Sequence, residues 1–189
     1  MYFPALLFFV ALITGACTAK PKKKDQCKEQ AKDQVAWEVL KLASQQRLFL
    51  FQTTKTQSKN CSYLQVNGTQ EKNKQGNLIS KAGIREALKF ESVFADGNQV
   101  KFQDKKLRKV STGHPVLYTD NSTCAVIASP EGTDILLWVA ENAARIPKNI
   151  NKCCMEVFKK EAKNVKRKGK KSKNINKTFH KSCIKAIHC

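Results

Sequence analysis

The sequence predicts a mainly β protein, in which a meander of short antiparallel strands closes into a barrel between a helical segment and a final helix. Three observations support this fold class. Short strand-like runs alternate with turn residues through the middle of the chain. Asp96-Gly97 lies between two such runs and is a strong hairpin signal. Residues 154–165 have helical spacing, which places Met155, Phe158 and Ala162 on one face.

The elements follow in order along the chain. Residues 29–45 are predicted to be helical in part, because Val35, Val39 and Leu42 recur at helical spacing. The predicted strands are residues 47–54, 61–66, 86–95, 98–104, one or two strands formed by 115–119 and 122–129, and 135–141. The last of these, ILLWVAE, is the most apolar.

The amino terminus has the pattern of an export signal. An apolar run over residues 3–13 leads to small residues, and Cys17-Thr18-Ala19 suits cleavage after Ala19, although cleavage after Ala16 would keep Cys17. No later segment approaches the ~20 apolar residues of a membrane-spanning helix. We therefore expect a soluble, secreted, disulfide-bonded protein without a membrane span. Four sequons agree with this expectation, at Asn60, Asn67, Asn121 and Asn176.

The formal net charge of +20 is concentrated near the two ends. Residues 159–185 contain twelve Lys or Arg against one acid, Glu161, and residues 20–24 form a second basic cluster. A solvated, flexible tail is one interpretation and attraction to a polyanion such as heparan sulfate is another. The basic segment has almost no interleaved aromatic residues, so nucleic acid is not an expected partner.

Several residues together carry a family resemblance. Residues 116–124 (VLYTDNSTC), Leu137-Trp138-Val139, Cys153-Cys154 and the early Ala36-Trp37 resemble, in their order and spacing, the tick salivary lipocalins of the histamine-binding type. The resemblance spans roughly residues 27–183. It implies a lipocalin-type antiparallel eight-stranded barrel, with Trp37 plugging its base.

The cysteine spacing resembles the moubatin and complement-inhibitor branch of that family. The resemblance implies three disulfide bonds, Cys27–Cys153, Cys61–Cys183 and Cys124–Cys154, whereas six cysteines considered alone allow fifteen connectivities. Cys189 is left over. The predicted organisation is a signal peptide over 1–19, a basic segment over 20–28, the lipocalin barrel and C-terminal helix over 29–166, and a basic tail over 167–189 tied back through Cys183.

A barrel of this size can enclose one small ligand. The strand aromatics are candidate wall residues, although ordinary core packing is expected for at least half of them: Phe49, Phe51, Tyr63, Phe90, Phe94, Phe102, Tyr118 and Trp138. A protonated amine would need an inward carboxylate, and the candidates are Glu38, Glu91, Asp120 and Glu141. Alternation in residues 86–94 places Glu91 opposite the more aromatic face, which weakens its candidacy. A lipid carboxylate would instead need a cation, with Arg47 and Lys89 as candidates. The predicted ligand-binding set is Trp37, Glu38, Phe51, Tyr63, Phe90, Glu91, Tyr118, Asp120 and Trp138.

The sequence offers little support for catalysis or for a metal. His180, Cys183, His188 and Cys189 match no common zinc spacing, and export favours disulfide bonds. No nucleophile elbow or phosphate loop is present, so we expect neither an enzyme nor a cofactor.

The resemblance implies a secreted, monomeric scavenger of a small host inflammatory mediator. The ligand would be a biogenic amine such as histamine, or a lipid mediator such as a leukotriene. The alternative is a module that binds a complement component or heparan sulfate through its surface and basic tail.

Overall fold

A computed structural model describes Cys27 and residues 35–103, 109–167 and 174–188. It contains nine strands: β1 (Leu48–Thr53), β2 (Tyr63–Gln70), β3 (Gln75–Lys81), β4 (Lys89–Asp96), β5 (Gln99–Gln103), β6 (His114–Thr119), β7 (Cys124–Ala128), β8 (Ile135–Ala140) and β9 (Asn176–Lys177). The helices are α1 (Val35–Gln45), α2 (Glu141–Arg145), α3 (Lys152–Arg167) and α4 (Ser182–His188), with a 3₁₀ turn at Pro147–Asn149. The signal peptide, Cys17 and Cys189 lie outside the described residues.

Strands β1 to β8 form a closed antiparallel barrel. Each strand pairs with the next in sequence, and β1 closes the ring by pairing with both β8 and β2. The predicted lipocalin-type eight-stranded barrel is therefore confirmed. We call the end at which β1, β3, β5 and β7 finish the mouth, and the opposite end the base. Among the described residues, no helix is both long and apolar enough to cross a membrane.

Three adjacent strands, β7, β8 and β1, are apolar on both faces because both faces are covered. Leu48, Ala125 and Ala140 face the barrel interior together with α1. Their neighbours Phe49, Cys124 and Val139 face outward into a second apolar layer beneath α3. This double coverage explains why the β7 and β8 sequences, CAVIA and ILLWVA, are nearly continuous apolar runs.

Helix α1 closes the base. Seven of its eleven residues are buried, and Trp37 is 5% exposed within the interior cluster. The backbone N–H of Ala36 donates to the carbonyl of Gly97 in the β4–β5 turn, at 3.4 Å. Trp37 thus occupies the base of the barrel, where the resemblance placed it. The predicted helix began at residue 29, but residues 29–34 lie outside the described part of the chain.

Helix α3 covers the outside of the barrel with one apolar face. Cys154, Phe158, Ala162 and Val165 are all buried on that face, and Met155 is partly buried beside them. The predicted face of residues 154–165 is therefore confirmed, and the helix extends from 152 to 167.

Three disulfide bonds join the elements, and they are the three pairs that the resemblance implies. Cys124–Cys154 ties β7 to α3, and Cys61–Cys183 ties the β1–β2 connection to α4. Cys27–Cys153 attaches the amino-terminal segment to the start of α3. The Cys61–Cys183 bond spans 122 residues and the Cys27–Cys153 bond spans 126. Such long loops constrain the unfolded chain strongly in the chain-entropy model.

The described part of the C-terminal tail is folded against the barrel. Strand β9 adds to the edge of β1, and the hydroxyl of buried Thr178 donates to the carbonyl of Leu50 at 2.5 Å. Phe179 packs against Phe49 and Phe51, with ring centroids 5.2 and 5.7 Å away. The interpretation of a flexible tail is therefore wrong for residues 174–188.

The sequence missed strand β3. Its residues, QGNLISK, include a glycine and few apolar side chains, so they give little strand signal. Pairing within the barrel makes this segment a strand, because β3 forms backbone hydrogen bonds along its length with β2 and β4. Residues 86–88, which were predicted to begin a strand, lie instead in the β3–β4 connection.

Candidate functional site

A cavity of about 350 Å³ opens at the mouth of the barrel. A smaller cavity of about 110 Å³ lies between it and α1. The two adjoin, because five side chains line both: Leu64, Leu78, Phe102, Leu136 and Trp138. The outer cavity lies at the lower end of the range of about 300–1,000 Å³ that holds small ligands in proteins.

Glu91 is the carboxylate that lines the outer cavity among the described residues. It follows Phe90 on β4 and pairs across the sheet with Leu78, another lining residue. Its side chain is half-buried, and it forms no ion pair within the described part of the chain. A carboxylate in this setting can accept hydrogen bonds from, and neutralise, a cationic ligand.

The face of β4 that turns inward differs from the expectation. Phe90 is 58% exposed on the outside of the barrel, so its predicted place in the cavity wall is wrong. Val93 is fully buried in the interior cluster, and the alternation of the strand therefore turns Glu91 inward with it. The sequence pattern identified the two faces of β4 correctly but assigned the aromatic face to the wrong side.

Lysine side chains surround the outer cavity. Lys55 and Lys59 belong to the β1–β2 connection, and Lys81 ends β3. Lys59 forms an ion pair with Glu86, and that hydrogen bond and charge lower the pKa of the Glu86 carboxyl. Neither Lys55 nor Lys81 has a carboxylate partner among the described residues. The opening is therefore basic, although Glu91 lines the cavity within it.

Aromatic side chains supply much of the remaining wall. Trp138 on β8 and Phe102 on β5 line both cavities, and Tyr63 at the start of β2 lines the outer one. Tyr63 also packs against Phe49, with ring centroids 6.2 Å apart, and beneath the guanidinium of Arg47 at 5.7 Å. Rings of this kind can stack on an aromatic ligand or face a cation.

His114 is the one ionisable side chain that lines the inner cavity among the described residues. Its ring meets Phe102 edge-on, with centroids 5.2 Å apart. Burial lowers the pKa of His114, and a hydrogen bond to the backbone of Ala128 only partly opposes this. The sequence did not single out His114, because Gly-His-Pro resembles a turn. The feature that could have identified it is its spacing of two residues from Val116, which puts both side chains on the same face of the strand, and Val116 is buried.

Asp120 has a structural position outside both cavities. It follows β6, and its carboxylate accepts from the backbone N–H groups of Ser122, Thr123 and Cys124 at 3.1, 2.8 and 3.0 Å. Burial would raise the pKa of Asp120, but these hydrogen bonds and one from the Thr123 hydroxyl hold it below its ordinary value. The carboxylate thus fixes the β6–β7 turn and does not face the lumen.

The other predicted site residues also lie away from the cavities. Glu38 forms an ion pair with Lys41 on the surface of α1, at 2.7 Å, and Trp37 packs into the interior cluster at the base of the barrel. Phe51 stacks on Phe179 outside the barrel, and Tyr118 belongs to the apolar layer beneath α3. Burial raises the pKa of the Tyr118 phenol. Of the nine predicted residues, the structure brings Tyr63, Glu91 and Trp138 together around one cavity.

The candidate lipid-binding cations also lie elsewhere. Arg47 precedes β1 and approaches Glu141 at the start of α2, with the nearest atoms 3.8 Å apart, and Lys89 is exposed at the start of β4. Neither lines a cavity among the described residues. Any anion at the opening would meet Lys55, Lys59 and Lys81 instead.

One cluster has the spacing of metal ligands among the described residues, namely Asp120, Cys124 and Cys154. The two sulfur atoms are joined in a disulfide bond, so neither is a thiolate that could bind a metal. Cys183, one of the four residues considered as zinc ligands from the sequence, is likewise joined in a disulfide bond to Cys61.

Comparison with known proteins adds an independent observation. A family model described as tick histamine binding protein matches residues 24–185. A solved structure of AM182 in complex with serotonin is similar in fold, with a TM-score of 0.60 and 20% sequence identity. The similarity covers 78% of this chain and 91% of AM182. No curated protein matches the sequence.

Proposed function

The chain belongs to the tick histamine-binding protein family, as its sequence resemblance predicted, and we propose that it is a secreted, non-catalytic protein that sequesters a small biogenic amine inside its barrel. The observation that carries this proposal is Glu91, a half-buried carboxylate that lines the same largely apolar cavity as Trp138. The name of the family and the serotonin complex of AM182 support the same ligand class.

The chemistry of an amine fits the order of groups along the lumen. A protonated amine loses hydration when it enters the barrel and needs an anion in exchange, which Glu91 would supply. The aromatic ring of the ligand would then lie against Trp138 and Phe102, where the outer cavity continues into the inner one. His114 could exchange a hydrogen bond with a polar atom at the far end of the ligand.

The lysines at the opening favour a second ligand class, a lipid mediator with a carboxylate. Lys55 and Lys81 could pair with that carboxylate, and the inner cavity would hold part of the acyl chain. This arrangement does not use Glu91, whose charge would repel the ligand. The two classes therefore make opposite demands on the same cavity.

Calorimetry with histamine, serotonin and a leukotriene distinguishes the two classes. For an amine ligand, we expect the wild-type protein to bind histamine or serotonin, and the Lys55→Gln/Lys81→Gln variant to bind it at least as tightly because two repelling charges are gone. For a lipid ligand, the same variant loses affinity for the leukotriene. The amine proposal fails if only the leukotriene binds.

A surface function is a separate candidate, because α3 and the segment after it expose lysines on the outside of the barrel. Lys159, Lys160 and Lys163 are exposed on α3, and Lys177, Lys181 and Lys185 are exposed on β9 and around α4. We propose that this basic surface could hold a sulfated glycan such as heparan sulfate.

Heparin affinity chromatography tests the glycan proposal. Changing Lys159, Lys160 and Lys163 to Gln should lower the salt concentration at which the protein elutes, because exposed charges act over only ~8 Å at physiological ionic strength. The control changes three exposed lysines elsewhere, Lys72, Lys109 and Lys148, and so removes the same charge. Equal shifts for both variants would mean that bulk charge alone is responsible.

A further inference from the structure

Exposed apolar side chains gather at one end of the barrel. Among the described residues, six large apolar side chains are exposed, and five of them lie at the mouth: Ile84, Leu88, Phe90, Val110 and Ile175. The sixth, Ile146, lies at the base after α2. Single exposed apolar residues are ordinary on protein surfaces, but their concentration around one opening indicates a surface that meets something apolar.

The topology places these five residues around the mouth. Ile84 and Leu88 lie on the β3–β4 connection, and Phe90 is the second residue of β4, on its outer face. Val110 follows β5, to which it is bridged through Gln103.

Ile175 belongs to the same end of the barrel through its neighbour in the chain. It precedes β9, and the side chain of Asn176 donates to the carbonyl of Lys55 in the β1–β2 connection at 2.9 Å. The ion pair of Lys59 with Glu86 joins that connection to the β3–β4 connection. These residues, the mouth-end connections that carry them and the β7–β8 turn at the same end of the barrel form what we call the mouth rim.

Basic side chains are interleaved with the apolar ones. The described residues of the mouth rim include six basic side chains, Lys55, Lys59, Lys81, Arg85, Lys89 and Lys109, and three acidic ones, Glu86, Glu131 and Asp134. The long stems of Lys and Arg can lie along an apolar surface while their charges reach polar groups beside it. Apolar protrusions with interleaved cations are the pattern of interfacial membrane binding.

We propose that the mouth rim docks on the surface of an anionic lipid membrane, with Ile84, Leu88 and Phe90 entering the headgroup region. The charge of the rim is complementary to anionic lipid, and the net charge of +20 acts in the same direction. The apolar groups protrude from several loops around an opening, an arrangement that suits a deformable lipid surface. Docking would turn the open cavity toward the membrane. This inference does not depend on which ligand the cavity holds.

Sedimentation with lipid vesicles tests the proposal on the full mature chain. The vesicles contain phosphatidylcholine alone, or with about one-third phosphatidylserine. All proteins are enzymatically deglycosylated first, because Asn60 on the same rim belongs to a sequon. We expect binding to the anionic vesicles, and a partition coefficient roughly tenfold lower for Ile84→Ser/Leu88→Ser/Phe90→Ser, which keeps every charge.

A matched pair of single substitutions distinguishes an effect of the mouth rim on vesicle binding from an effect of any exposed apolar side chain. Leu88 and Ile146 are each 45% exposed, but only Leu88 lies at the mouth. Leu88→Ser should weaken vesicle binding and Ile146→Ser should leave it unchanged, while circular dichroism and thermal unfolding verify that each variant is folded. In a Leu88→Trp variant, brominated acyl chains should quench the added fluorescence beyond the quenching seen in the wild type.

Two results would overturn the proposal. The first is undiminished binding of the triple serine variant to anionic vesicles, which would leave bulk charge as the whole cause. The second is no vesicle binding by the wild-type protein, in which case the rim would be left as a surface for a protein partner.

Discussion

The hydrogen bonds of Asp120 make the β6–β7 turn a sensitive point of the fold. One carboxylate oxygen accepts from three consecutive backbone N–H groups, beginning at Ser122, and the turn leads directly to Cys124 in the disulfide with α3. In Asp120→Ala these N–H groups lose their partner. The carboxylate is half-exposed, so water replaces part of each bond, and we expect a loss of about 2–3 kcal/mol in the free energy of unfolding.

The charge of Asp120 contributes separately from its geometry. Asp120→Asn keeps an acceptor oxygen and should cost about 1 kcal/mol at pH 7. Because the pKa of Asp120 is lowered in the folded protein, its charge stabilises the fold fully above the unfolded value of 3.8, and that contribution is lost as the pH falls through the folded value. The stability difference between wild type and Asp120→Asn should therefore shrink in acid.

Urea unfolding at pH 7 and at lower pH measures both effects. Asp96→Asn is the control, since Asp96 is exposed and makes only a surface ion pair with Lys101. It should change the free energy of unfolding by less than about 1 kcal/mol. Equal effects of Asp120→Ala and the Asp96 control, or a difference for Asp120→Asn that does not change with pH, would refute the reasoning.

Two further predictions concern stability. Phe158 is fully buried between α3 and the barrel, so Phe158→Ala should lower the free energy of unfolding in urea by about 3–5 kcal/mol. The control, Ile146→Ala, changes an exposed residue and should lower it by less than about 0.5 kcal/mol. Similar losses in the two variants would contradict the packed layer beneath α3. Burial lowers the pKa of His114 in the folded protein, so as the pH falls the unfolded state binds a proton at this residue first. The free energy of unfolding should therefore fall as the pH drops below about 6.5 and should level off below the pKa of His114 in the folded protein. His114→Gln should remove that part of the pH dependence, and an unchanged pH profile in the variant would show that His114 does not cause it.

The sequence predicted the elements that have a strong local signal. The apolar strands β1 and β8, the Asp96-Gly97 hairpin and the amphipathic α3 all lie within a few residues of their predicted positions. The strands are short apolar runs bounded by turn residues, and α3 has a clear helical period. Strand β3 and the short β9 lack such a signal, because pairing with their neighbours in the barrel and not their composition makes them strands.

The candidate site was harder to predict because it depends on which face of each strand turns inward. Alternation separates Phe90 from Glu91 but does not say which side is the lumen, and the aromatic side chain made the wrong face attractive. The sequence did not show whether Phe51 and Tyr118 face the lumen or the outside of the barrel, because α3 and the C-terminal segment create a second apolar layer outside it. A strand that is apolar on both faces has no periodicity that identifies its inner one.

Calorimetric titration of serotonin into two acid-to-amide variants tests the central claim, that Glu91 holds an amine inside the barrel. Glu91→Gln leaves the shape of the cavity and removes its carboxylate, and Glu38→Gln makes the same change on the surface of α1, outside both cavities. We predict that Glu91→Gln weakens binding by roughly 30- to 100-fold, since the ammonium loses its charged partner, while Glu38→Gln stays within about twofold of the wild type. Wild-type affinity in Glu91→Gln, or an equal loss in both variants, would contradict the claim.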